Sequence, residues 1–109
     1  VKRLLFSRQL VEKVRRGEAS LTFRTRRLHG TYAVYQGPWQ RAKPTGVLVE
    51  IIKSERVDPR SLTDADAQQA GVETIEELRR LLQRWYGEVP PLLWRNWLTV
   101  VQPCPQPTS

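Results

Sequence analysis

The apolar period of this chain changes at Gly17, and that change restricts the folds open to it more than any other feature. Before Gly17, Leu10, Val11 and Val14 recur at helical spacing behind Ser7, whose hydroxyl can cap the free amides of a first turn. From Ser20 the period becomes two, with Leu21 and Phe23 on one face of an expected half-buried strand and Thr22, Arg24 and Arg26 on the other. A short amphipathic helix followed at once by a strand calls for a fold in which helices pack on a sheet.

The remaining punctuation fills out that fold. His29 and Gly30 mark a turn, Tyr32 to Gln36 resume the alternation, and Gly37, Pro38 and Pro44 bound a loop that carries Trp39, Arg41 and Lys43. Val47 to Ile52 is nearly continuous in apolar residues, the pattern of a central, covered strand. Thr63 with Asp66 and Thr74 with Glu77 match capping boxes, which predicts two helices separated by Gly71. In the second, Leu78, Leu81, Leu82 and Trp85 share a stripe expected to pack in the core. Gly87, Pro90 and Pro91 end it, and Leu92 to Val101 form a last strand containing Trp94 and Trp97. The expected fold class is α+β, a small, strongly bent sheet or barrel of five or six strands plugged by helices. Residues 1–101 form the expected domain, and the Pro-rich residues 102–109 a flexible tail.

A chain of 109 residues suits one modest core. Its longest apolar runs fall far short of the roughly 20 residues that cross a bilayer. Leu4, Leu5 and Phe6 after Lys2 and Arg3 are too few for a secretory leader, so a cytoplasmic setting is expected. One cysteine, Cys104, and one histidine, His29, supply neither an internal disulfide nor a zinc site, and no metal or other cofactor is expected. Charge is distributed unevenly. Residues 1–44 hold eleven basic and two acidic side chains, a net +9, whereas residues 45–109 hold seven basic and nine acidic, a net −2. Such a half attracts a polyanion, RNA or a nucleotide first, and an acidic protein partner as the alternative.

Thr22, Arg24 and Arg26 stand about 7 Å apart along one strand face, a row suited to phosphate or a base edge. Arg24 could clamp a phosphate with its fork or pair with Glu50 or Glu55. Tyr35, Trp39 and Trp94 are candidates to stack on a base, with Arg41 and Lys43 adding charge nearby. Asp64, Asp66 and Glu73 lie at helix starts, where caps and the helix dipole account for them better than a metal does.

The order of these segments, GEASLTFR, HGTYAVYQGP, TGVLVEII and SLTDADAQQAGVETIEELRRLL after a helix ending at Gly17, resembles the ASCH domain family over nearly the whole chain to about Val101. The resemblance implies a PUA-like β-barrel and a role at RNA or a modified nucleotide. Gly17, Thr22 and Arg24 keep the family's pattern in the segment after the helix, but its Lys position is Ala19. Some small ASCH proteins are amidohydrolases that deacetylate N4-acetylcytidine with that Lys, the Thr and a later Glu, and the Glu position falls at Ala70 unless the alignment slips to Glu73. Two alanines supply neither the base nor the oxyanion donor of such a reaction. The expected function is therefore binding of RNA or a nucleotide through Thr22 and Arg24, which keep the family pattern, and through Arg26, Tyr35, Trp39, Arg41 and Lys43, which the charge and aromatic readings add. A nuclease or another nucleoside hydrolase is the alternative.

Overall fold

The computed structural model describes residues 2–101. Its elements are β1 (Lys2–Phe6), α1 (Arg8–Arg15), β2 (Leu21–Arg24), β3 (Gly30–Gln36), β4 (Lys43–Val57), α2 (Asp64–Gln69), α3 (Ile75–Tyr86) and β5 (Leu93–Val101). Short 3-10 helices at Trp39–Arg41 and Pro59–Ser61 flank β4. The five strands form one sheet in the order β1-β3-β4-β5-β2, parallel between β1 and β3 and antiparallel elsewhere. No helix among the described residues is long and apolar enough to cross a membrane. The expected tail, with Cys104, lies outside the described residues.

The helices start where local chemistry requires. The Ser7 hydroxyl accepts from the Leu10 amide at the head of α1. Thr63 and Asp66 complete a reciprocal capping box on α2, whereas at α3 only the Thr74 half is made, to the Glu77 amide. Asp64 instead accepts from the Ile75 amide at 2.8 Å and ties the two helix starts together.

Three strand expectations change. Leu4, Leu5 and Phe6 form an edge strand and not merely an apolar lead-in, because β3 offers a parallel partner that the local pattern cannot reveal. The second strand is covered on both faces, with Leu21, Thr22 and Phe23 all buried, and it ends at Arg24, so Arg26 lies beyond it. The Val47–Ile52 run is the middle of a 15-residue strand. One extra residue, the exposed Ile52, sits between the pairs Ile51–Leu98 and Lys53–Trp97 and interrupts the alternation. A second irregularity, between Ala33 and Tyr35 of β3, places Thr45 so that its hydroxyl donates to the Val34 carbonyl at 2.7 Å.

Two hydrophobic regions hold the sheet. One gathers β1, α1, β3 and the first part of β4 through Leu4, Phe6, Leu10, Val14, Val34 and Val49. The other gathers β2, α2, α3 and β5 through Leu21, Phe23, Ala67, Leu78, Leu82 and Leu93. Gly71 lets the turn between α2 and α3 approach α1, since at its φ of +94° an added Cβ would lie 2.8 Å from Leu10 Cδ2.

Candidate functional site

β1 and β2 are the opposite edges of the sheet, yet a single side chain spans them. Arg24 of β2 donates from Nη2 to the Leu5 carbonyl of β1 at 2.8 Å. Bulges bend strands and increase their twist, and the curl of the sheet brings its two edges within one arginine's length. The seam where the half-barrel stays open is therefore the place where Arg24 lies.

The guanidinium is held on several sides. Its Nε donates to the Thr22 hydroxyl at 3.0 Å, and its centre lies 5.1 Å from the ring of Phe6 and 5.8 Å from that of Trp85. Neither Glu50 nor Glu55 pairs with it. Glu55 is taken by Arg95 at 2.7 Å, and Arg95 also reaches Asp66 at 3.3 Å. Burial pushes the Arg24 guanidinium below the usual arginine range; Tyr86 opposes that shift and the charge of Arg26 adds to it. Two of its five N–H donors are committed within the protein.

A cleft of about 610 Å³ opens beside this arginine. Its apolar walls are Leu5, Phe6, Pro38, Leu81 and Trp85, with Tyr86 at the end of α3. Its charged groups are Arg8, Arg24 and Arg84, and no carboxylate lines it. Ser7, the cap of α1, and Arg8, its first residue, also border it and add the positive end of a helix dipole. A hollow with aromatic walls and unopposed guanidinium groups can take a flat apolar ring and an anion together.

The predicted residues distribute unequally over this geometry. Arg24 lines the cleft, and Thr22, 4% exposed, holds Arg24 from behind. Arg26 lines an adjoining hollow. Tyr35, Arg41 and Lys43 line neither: Tyr35 lies beneath the Arg3 guanidinium at 4.8 Å, Arg41 closes a 3-10 helix, and Lys43 begins β4 opposite Gln36. The backbone of Trp39 opens that 3-10 helix, and its side chain lies outside the described residues. Trp85, expected in the core, is 39% exposed because it stands at the margin of the Leu78–Leu82 stripe, facing the cleft. Phe6 and Arg84 were not legible as site residues. Arg84 directly precedes a stripe residue, and helical spacing alone does not say that a seam lies opposite.

Ala19, at the family's Lys position, is buried in the region under α1. The segment bearing Ala70 adjoins it, since the Ser20 amide donates to the Gln69 carbonyl at 2.9 Å. Neither alanine lines the Arg24 cleft.

No protein-family model and no curated protein matches this chain. Solved structures do. An ASCH domain from Lactobacillus crispatus JV V101 is 14% identical and superposes with a TM-score of 0.61 over 84% of this chain and 69% of its own. A DUF984 protein from Enterococcus faecalis V583 is 15% identical, with a TM-score of 0.59 over 84% of this chain and 66% of its own. The chain thus spans about two thirds of the length of these proteins. At such identities the likeness is one of architecture, and the described residues, five strands curled into a half-barrel with three helices, have an ASCH-like, PUA-like fold.

Proposed function

We propose that this domain binds RNA or a nucleotide in the cleft at the barrel seam, within the cytoplasm. Arg24 takes a phosphate with the donors left to it, Arg8 and Arg84 add charge at the rim, and a base lies against Trp85. The observation that carries this reading is a half-buried arginine with no carboxylate partner, lying within 6 Å of two aromatic rings at the wall of an accessible cleft. Desolvation of an unpaired cation is costly, and a bound anion would offset it. Thr22 acts through Arg24 in this reading, as a positioning residue.

Titration of the purified chain with a short single-stranded oligouridylate, followed by tryptophan fluorescence, tests the proposal. Binding that quenches fluorescence and weakens by about tenfold or more in Arg24→Met is expected, the worth of a hydrogen bond to a charged group. Trp85→Ala should also weaken it, since stacking on an aromatic contributes about 1–3 kcal/mol per base. Absence of binding, or binding indifferent to both substitutions, would contradict it.

A further inference from the structure

Arg24 borders a second hollow as well as the first. This one, of about 330 Å³, is lined by Arg3, Leu4, Leu5, Arg24, Thr25, Arg26, Leu28 and Tyr86. It shares Leu5, Arg24 and Tyr86 with the larger cleft, so the two adjoin across one guanidinium. Three of its residues are arginines and none is acidic.

None of the five arginines that line the two hollows, Arg3, Arg8, Arg24, Arg26 and Arg84, pairs with a carboxylate, although the same holds for ten of the fourteen arginines among the described residues. Arginines left without counter-charge on both sides of a single divide present two neighbouring anion positions, and one phosphate does not fill both.

We infer that the seam takes a single-stranded oligonucleotide of at least two nucleotides and not a lone mononucleotide, with one phosphate at Arg24 in the Trp85 cleft and the next in the hollow of Arg3 and Arg26. This rests on the nucleotide-binding reading above. Leu4, Leu5 and Leu28 line the second hollow and Tyr86 borders both, whereas the rings of Phe6 and Trp85 belong to the first alone. The base is therefore held in the larger cleft, and the smaller one holds backbone. Arg26 is suited to such a contact, because its carbonyl accepts from the buried Asn96 amide at 3.5 Å while its side chain is exposed.

The test compares uridine 5′-monophosphate with 5′-phosphorylated diuridylate, and the corresponding deoxyuridylates, by calorimetry on the wild-type chain, Arg26→Glu and Arg26→Gln. The expected result is a dinucleotide bound about tenfold tighter than the mononucleotide, with a salt slope steeper by about 0.7. That ratio should collapse toward one in Arg26→Glu and fall partway in Arg26→Gln, both variants melting at the wild-type temperature. The pattern in either sugar series supports the inference, and the tighter series assigns RNA or DNA. Equal affinity for one and two nucleotides, or a ratio untouched by Arg26→Glu, overturns the inference and leaves the cleft reading standing. Failure of every ligand to bind overturns both.

Discussion

The Nη2 of Arg24 donates to the Leu5 carbonyl at 2.8 Å, joining the two strands that stand at opposite edges of the sheet. β1 contributes Leu4 and Phe6 to one hydrophobic region and β2 contributes Leu21 and Phe23 to the other, so this bond crosses the line where the two regions meet. The residue proposed to meet the ligand is therefore also a clasp.

Arg24→Met should separate those two roles by magnitude. It leaves the Leu5 carbonyl and the Thr22 hydroxyl without their donor, a loss of about 1–3 kcal/mol per group, partly offset because a desolvated charge is removed. A net destabilisation of about 1–2 kcal/mol in urea denaturation is expected beside a loss of nucleotide binding too large to be explained by unfolding. A variant that melts early but binds normally would show the arginine to be a clasp only.

Thr22→Val tests the positioning role. The isosteric change removes the acceptor at 3.0 Å from Arg24 Nε while filling the same buried space. We expect destabilisation of about 1–2 kcal/mol and weaker nucleotide binding. Thr22→Ser, which keeps the hydroxyl, should restore binding. Equal binding in Thr22→Val and wild type would remove Thr22 from the site.

The sequence disclosed what is local. Ser7, Thr63 and Thr74 announce the three helices because a cap is satisfied within four residues. Arg24 was legible because the alternation of β2 and the family-like Gly17, Thr22, Arg24 pattern coincide. β1 was not legible, since five residues acquire strand character only from a parallel partner about thirty positions away. The ends of β4 were hidden by the extra residue at Ile52 and by the polar run that follows it. Arg84 and Phe6 join the candidate site only because the sheet curls, and curl is a property of bulges and twist distributed over several strands. Trp85 was misread because helical spacing defines a stripe but not what its margin faces.

Asn96 is the clearest omission. It lies in β5 without exposed surface, accepts from the Leu28 amide at 3.0 Å and from the Ser54 hydroxyl at 2.7 Å, and donates toward the carbonyls of Thr22, Arg26 and Trp94. It thereby fixes the connection from β2 to β3 that carries Arg26. Asn96→Leu would bury those groups unsatisfied, at about 1–3 kcal/mol each. We expect destabilisation of about 2–4 kcal/mol by denaturant titration and faster hydrogen exchange at the Leu28 amide. An unperturbed Leu28 amide would refute this role.

The pH response of binding follows from the lining. No histidine or carboxylate lines the cleft, so none of the side chains that ordinarily change charge near neutrality borders it. Burial lowers the pKa of Arg24, so the charge-dependent cost it brings to folding persists at neutral pH and is relieved only as pH rises through that lowered value. Any change near neutrality must then come from the ligand. Affinity for uridine 5′-monophosphate should fall as pH drops below about 6, where the phosphate loses its second charge. Affinity for a dinucleotide without a terminal phosphate should stay flat. A parallel fall for both would place an unrecognised titrating group of the protein at the site.

The most direct measurement is the salt dependence of affinity for a short single-stranded RNA, wild type against Arg24→Met. The logarithm of the association constant should fall linearly with the logarithm of salt concentration, by about 0.7 per phosphate neutralised, and the slope should lessen by about 0.7 when Arg24 is replaced. A flat wild-type line, or an identical slope in the variant, would contradict the assignment of the barrel seam as an anion site.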